Sequence, residues 1–172
     1  MRKDFVAPIL VLMMICLVAS GALALVDNVT NPVIEAAAVE RTNEAMRKQI
    51  PNADGFELIE LQGLSGAVKA VYRTTNDVGY VFIVSSNGFG GEIRIICGIG
   101  PDGKLTGSEV LEHSETKGIG TVIEQSSFTD QFAGKDSRLE GVSTVTGATI
   151  STSAYVRAIK AALEAFETAK AR

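Results

Sequence analysis

The chain has 172 residues, 46% of them hydrophobic, with 16 basic and 20 acidic side chains and a formal net charge of −4. This length allows one domain with a real core in addition to a membrane segment. The acidic balance argues against nucleic acid or an anionic membrane surface as a partner, because both attract basic proteins. No metal-ligand spacing occurs, and Cys16 cannot reach Cys97 to form a disulfide if Cys16 lies in lipid.

An apolar stretch near the N-terminus, Phe5–Val26, contains no charged residue. As a helix it would extend roughly 33 Å, enough to cross the hydrocarbon core of a bilayer. Arg2 and Lys3 precede it and the next basic residue is Arg41, so the positive-inside rule predicts a single-pass protein of the cell (inner) membrane with a cytoplasmic N-terminus. The alternative is a cleavable signal peptide, since Ala22-Leu23-Ala24 is typical of a cleavage site. We expect retention, because the stretch exceeds the ~7–15 residues of a signal core.

The segment after the span is predicted to be a second, membrane-proximal helix. Asn31-Pro32 indicates its start, because asparagine caps helices and proline favours the first helical position. The helix should stop before Pro51. The chain then divides into an anchor (1–26), this helix (27–50) and a globular domain (51–172). Three residues form a thin apolar stripe on the helix, which we expect to pack lightly on the domain: Ile34, Ala38 and Ala45.

Strand-like runs separated by turn signals dominate the middle of the chain. They are Phe56–Leu61, Val68–Arg73, Gly79–Ser85, Glu92–Gly98 and Leu105–Leu111. Pro101-Asp102-Gly103-Lys104 is a strong turn signal and predicts a hairpin between the last two runs. This succession of strands and turns favours an antiparallel sheet.

The last third of the chain is predicted to be helical and irregular. We expect a short helix within Gly118–Phe128, a loop over Phe128–Leu139 anchored by Phe132, and an extended segment at Val142–Val145. A final helix at about Ser151–Ala169 carries apolar side chains on one face: Tyr155, Ile159, Leu163 and Phe166. The predicted fold class is α+β, with one N-terminal transmembrane helix and then a single domain whose twisted, largely antiparallel sheet is packed by helices.

Thr146-Gly147-Ala148-Thr149 precedes the final helix. A threonine hydroxyl there meets free backbone N–H groups and the positive end of the helix dipole, which together favour a bound phosphate. Gly147 permits a backbone conformation that a side chain would block, and Ala148 leaves room beside Thr149. Three further candidate phosphate donors follow in the first helical turn: Ser151, Thr152 and Ser153. The alternative is an ordinary helix cap, where serine and threonine are common.

This run resembles the Ser/Thr-Gly-Ala-Thr flavinylation motif of the covalent FMN-binding domain family. Two segments in the family's order strengthen the resemblance: Gly88-Phe89-Gly90-Gly91 is similar to its glycine-rich turn, and Glu115-Thr116-Lys117-Gly118-Ile119-Gly120 to its Glu-Thr-Pro-Gly-Leu-Gly segment. The resemblance implies FMN joined to Thr149 by a phosphoester bond, which a separate flavin transferase makes from FAD. The family commonly has aspartate three residues before the motif, where this chain has Ser143.

The resemblance also implies contacts between the second segment and the flavin, with Glu115, Thr116 and Gly118 as the candidate residues. The alternative is a strand-to-helix turn in which the glycines only permit the backbone conformation and do not contact a ligand. For the glycine-rich turn, Gly88–Gly91, we favour a structural role, shaping the wall of a flavin pocket. His113 is interpreted as a strand-end residue, because no partner residues indicate catalysis or metal binding.

A single span followed by one FMN domain is similar in layout to the G subunit of the Rnf-type ion-translocating electron transport complex. In that complex electrons flow between ferredoxin and NAD while sodium ions or protons cross the membrane. The implied function is an electron relay among membrane subunits, without catalytic residues or a substrate pocket of its own. Three alternatives stay open: the C subunit of the sodium-translocating NADH:quinone reductase, usually longer between span and flavin domain; a stand-alone exported flavoprotein; and a membrane-tethered scaffold without cofactor.

Overall fold

A computed structural model describes residues 2–60 and 65–170. The described residues form two compact units, which divide between Arg41 and Thr42. The first unit consists of most of helix α1, Arg2–Gln49. Its portion Val6–Gln49 contains an 18-residue window with a mean hydropathy of 2.8 and is long and apolar enough to cross a membrane. The predicted N-terminal candidate span is therefore confirmed.

Helix α1 is continuous, so the predicted break at Asn31-Pro32 is wrong. Pro32 lies inside the helix. A proline removes one backbone hydrogen bond and crowds the preceding turn. The residues that follow, Glu35–Ala38, favour helix, and the helix continues through the proline. Of the predicted apolar stripe, Ile34 and Ala38 are exposed and Ala45 is buried.

The second unit is built on a five-stranded antiparallel sheet whose strands lie in sequence order. The strands are β1 Phe56–Ile59, β2 Val68–Thr74, β3 Tyr80–Asn87, β4 Glu92–Ile99 and β5 Leu105–Glu112. The predicted β4–β5 hairpin is confirmed: the Gly100 N–H donates to the Lys104 carbonyl at 2.8 Å, and Gly103 has a φ of +79°. The end of the first predicted strand, Leu61, lies outside the described residues.

Both faces of this sheet are covered within the second unit. Helix α3, Thr149–Lys170, packs on one face against side chains that include Phe82 and Ile95. On the other face Val81, Ile83 and Ile96 form a cluster with three residues at the end of α1 and just after it: Ala45, Met46 and Ile50. Because neighbouring strand residues point to opposite faces, β3 and β4 must be apolar at consecutive positions. The predicted α+β class is confirmed.

Short helical turns connect β5 to α3. Gly120–Glu124 is a 3-10 helix, α2 is Ser126–Thr129, and a second 3-10 turn follows, so the predicted helix in this region is split. The predicted anchor Phe132 is fully buried. Its ring packs against those of Phe128 and Tyr155, with centroid distances of 5.5 and 5.1 Å.

The predicted extended segment at Val142–Val145 forms no strand. Its backbone is held by the Gln131 amide: the Ser143 N–H donates to Gln131 Oε1 at 2.9 Å, and Gln131 Nε2 donates to the Ser143 carbonyl at 3.2 Å. A side chain therefore satisfies the backbone groups that a neighbouring strand would otherwise satisfy.

Cys97 in β4 provides a test of the core. The residue is fully buried, and desolvation raises the pKa of its thiol to about 12. Because the thiolate is the reactive form, we expect a Cys16→Ser variant to resist maleimide at neutral pH while folded and to label fully after unfolding, as measured by intact mass. Labelling of the folded variant at the rate of the unfolded chain would contradict this packing.

Candidate functional site

The three sequence motifs meet at one end of the sheet, around a cleft of about 430 Å³. The turn between β3 and β4 lies beside the end of β5 because Arg94 pairs with Glu112, and α3 begins at the same end. The cleft is lined by residues of all three motifs and by the two residues after Thr149: Phe89, Glu115, Thr116, Ile119, Gly120, Gly147, Ala148, Thr149, Ile150 and Ser151. Antiparallel pairing thus brings together segments that are far apart in sequence.

The start of α3 supplies the polar end of the cleft. Gly147 has a φ of +88°, a conformation that glycine adopts readily. The Thr152 N–H donates to the Ala148 carbonyl at 2.9 Å, so the N–H groups of the preceding residues have no partner within the helix. Thr149 is exposed, and its hydroxyl makes no hydrogen bond in residues 6–60 and 65–170, whose side chains are described. Thr149 and the residues that begin the helix therefore both line the cleft.

Four other residues predicted for the site do not line the cleft. Thr152 is fully buried, and its hydroxyl donates to the Ala148 carbonyl at 2.8 Å and accepts the Val145 N–H at 3.3 Å, so it ties the first turn of the helix to the preceding segment. Gly118 is exposed with a φ of +82°, and its N–H donates to Thr121 Oγ1 at 3.0 Å. The remaining two are Thr146, which is exposed, and Ser153, which is half-buried.

The Glu115 carboxylate lies at the junction of the motifs and is 8% exposed. Its Oε1 accepts the Gly90 N–H at 2.9 Å, and its Oε2 accepts a hydrogen bond from the Ser151 hydroxyl. A Cβ on Gly88 would overlap Oε1, and one on Gly120 would lie 2.7 Å from Oε2. The glycines therefore leave the space that this carboxylate occupies, in keeping with the structural role predicted for the turn.

His113 follows β5 directly and supports the same segment. Its Nδ1 accepts the Glu115 N–H at 3.0 Å, and its Nε2 lies 3.1 Å from the Glu124 carboxylate. His113 thus fixes the backbone just after the end of β5, consistent with its interpretation as a strand-end residue.

Sequence reasoning missed the apolar rim of the cleft. Phe89, Ile119 and Ile150 are 71%, 56% and 54% exposed, although large apolar side chains are usually buried. The available signal was Phe89, an aromatic residue among turn glycines. An apolar rim beside a helix N-terminus suits a ligand with a flat aromatic part and a phosphate, so the residues present fit FMN.

Comparison with known proteins assigns the family. Residues 88–164 match the FMN-binding domain family. The chain is 32% identical to the G subunit of the ion-translocating oxidoreductase complex of Methanosarcina acetivorans, over 94% of each chain. The chain belongs to the family of G subunits of ion-translocating oxidoreductase complexes. Other relatives include the G subunit of the proton-translocating ferredoxin:NAD(+) oxidoreductase complex of Clostridium ljungdahlii, 29% identical over 87% of this chain and 84% of the relative.

A third relative, the G subunit of the Na(+)-translocating ferredoxin:NAD(+) oxidoreductase complex of Acetobacterium woodii, is 25% identical over 92% of this chain and 89% of the relative. The suspected membership in the FMN-binding family, with the Rnf-type G subunit as the similar member, is thus confirmed. The matched range begins at the glycine-rich turn and includes all three motifs, so the cleft lies in the FMN-binding domain of this G subunit.

Proposed function

We propose that this G subunit carries FMN through a phosphoester to Thr149 and relays electrons within an Rnf-type ferredoxin:NAD oxidoreductase coupled to ion translocation. The observation that carries the proposal is the exposed Thr149 hydroxyl, which stands at the start of α3 in the cleft of an FMN-binding domain. The names of its relatives support the assignment to a complex of this type.

The attachment is a group transfer for which a separate flavin transferase uses FAD. The Thr149 oxygen forms a bond to the phosphorus of the FMN half, the phosphoanhydride bond of FAD breaks, AMP leaves, and the hydroxyl proton is released. The chain contributes the nucleophilic oxygen and a favourable environment for the product. The free N–H groups of the first helical turn and the helix dipole stabilise the negative phosphodiester.

Bound FMN supplies the redox chemistry, because it can accept and pass one or two electrons. Phe89, Ile119 and Ile150 are the side chains that would exclude water from its aromatic part. Glu115 and Thr116 would form the polar wall of the cleft. Relay of electrons requires no general base in this chain, so its task is to hold the cofactor among neighbouring redox subunits.

The N-terminal charges support the membrane arrangement of this proposal. Arg2 and Lys3 precede the apolar part of α1, so the N-terminus is cytoplasmic and the flavin domain lies on the opposite side of the membrane. A covalent bond is advantageous there, because a lost flavin could not be replaced from a cytoplasmic pool. The partners are the other membrane subunits of the complex and, during maturation, the transferase.

In-gel fluorescence separates this function from a cofactor-free scaffold. The full chain is co-expressed with a flavin transferase, denatured and viewed under ultraviolet light. We expect a fluorescent band with the transferase and a dark band without it, because only a covalent flavin survives denaturation. A dark band in both samples would support the scaffold. A fluorescent protein that copurifies with no other membrane subunit from its own host would instead support a stand-alone flavoprotein.

A further inference from the structure

Glu115 is a buried carboxylate without a cationic partner in the described part of the chain. Its two hydrogen-bond donors, the Gly90 N–H and the Ser151 hydroxyl, are both neutral. The ion pairs found outside residues 1–5, 61–64, 171 and 172 join other groups. Because buried carboxylates in proteins are normally paired with a cation, a buried carboxylate that lines a ligand cleft and has only neutral donors is a candidate for a functional role.

The groups packed around this carboxylate fix its position. His113 Nδ1 accepts the backbone N–H of Glu115 and makes no hydrogen bond to its carboxylate in the described part of the chain. Lys117 is exposed on the same segment, and the N-terminus of α3 approaches through Ser151. Gly88 and Gly120 lie so close to the carboxylate that a Cβ on either would clash with one of its oxygens. The charge is thus fixed at the wall of the cleft.

We infer that the Glu115 carboxylate sets the reduction potential of the flavin and holds it low. This inference rests on the proposed function, since it requires FMN in the cleft. Electrons added to a flavin increase its negative charge, and a fixed negative charge beside it opposes that addition. Because Glu115 is buried, water and dissolved salt screen its charge less than that of an exposed carboxylate.

The test is a spectroscopic redox titration of the flavin-loaded full chain in detergent, carried out for three variants beside wild type. Glu115→Gln removes the charge and keeps the shape and an acceptor oxygen. Glu112→Gln removes the same charge three positions away, at an exposed side chain paired with Arg94. Ser151→Ala removes a hydrogen-bond donor and leaves the Glu115 charge.

We expect a more positive midpoint potential for Glu115→Gln, persisting at high salt, and no comparable shift for Glu112→Gln. Ser151→Ala should show no positive shift, because this variant keeps the Glu115 carboxylate and its charge. A purely structural role for Glu115 would instead change thermal stability in both cleft variants and leave the potential at the wild-type value, which would overturn the inference.

Two further outcomes are decisive. A folded Glu115→Gln chain that carries no flavin, while Glu115→Asp is fully loaded, would overturn the inference, because the charge would then serve attachment. A wild-type chain without covalent flavin after co-expression with the transferase would refute the proposed function itself. Fluorescence of the denatured wild type, recorded first, separates these two failures.

Discussion

Thr149→Ala should abolish covalent flavin completely. The substitution removes the oxygen that forms the phosphoester, and its small side chain suits the exposed first position of α3. We expect the intact mass of wild type from a transferase-containing host to exceed that of the bare chain by one FMN less a water, and the variant to have the bare mass. Its thermal unfolding should resemble that of unmodified wild type, since the Thr149 hydroxyl makes no hydrogen bond in the described part of the chain.

Thr149→Ser is the matched control, because it keeps a hydroxyl at the same position and should retain the adduct. An adduct that persisted in Thr149→Ala would place the attachment on another hydroxyl. Thr146 would then be the first candidate because it is exposed, whereas the Thr152 hydroxyl is fully buried and used in two hydrogen bonds. Peptide mapping of the modified chain would identify the residue.

Gly90→Ala should be the most disruptive small substitution around the cleft. A Cβ at Gly90 would overlap the carbonyl of Ser114, a backbone group that cannot rotate away. The turn would have to move, weakening the hydrogen bond from the Gly90 N–H to Glu115. Overpacking of this kind costs about 1–3 kcal/mol, so we expect a lower unfolding temperature in detergent and reduced flavin attachment.

Gly66→Ala is the control for this change. A Cβ at Gly66 would meet no atom of the described residues within 4 Å, so the same chemical change should leave unfolding and flavin content near wild type. Equal stability of the two variants would show that the glycine-rich turn is looser than its contacts indicate.

Much of the fold was predictable because local patterns and tertiary packing agree. The strands alternate or form short apolar runs between strong turn signals, and α3 has a clear apolar face, so each element appears within a few residues of its predicted place. The prediction that a helix starts at Asn31-Pro32 was wrong, although this pair is a valid local signal for a helix start. The structure has one continuous helix there, because the turns on both sides of Pro32 compensate for the one hydrogen bond that the proline removes.

The contents of the cleft were predictable only in outline. The motifs identified Thr149 and the Glu115 segment, and antiparallel pairing explains why they meet. The bond from the Ser151 hydroxyl to Glu115 joins residues 36 positions apart, and no local periodicity encodes such a contact. The exposure of Ile119 and Ile150 likewise depends on the tertiary packing around them, which the local sequence does not reveal. Thr152 was assigned to the phosphate because sequence cannot show that its hydroxyl is already used by the helix start.

The last turns of α1 belong to the globular unit, since Ala45, Met46 and Ile50 fill one side of its interior against Val81 and Ile96. A fragment that begins after Gln49 would lose Ala45 and Met46, expose apolar side chains on that face of the sheet and be prone to aggregation. Fragments prepared for spectroscopy or crystallisation should therefore begin before Thr42. They then keep a segment that the sequence alone indicates is only a connector to the membrane.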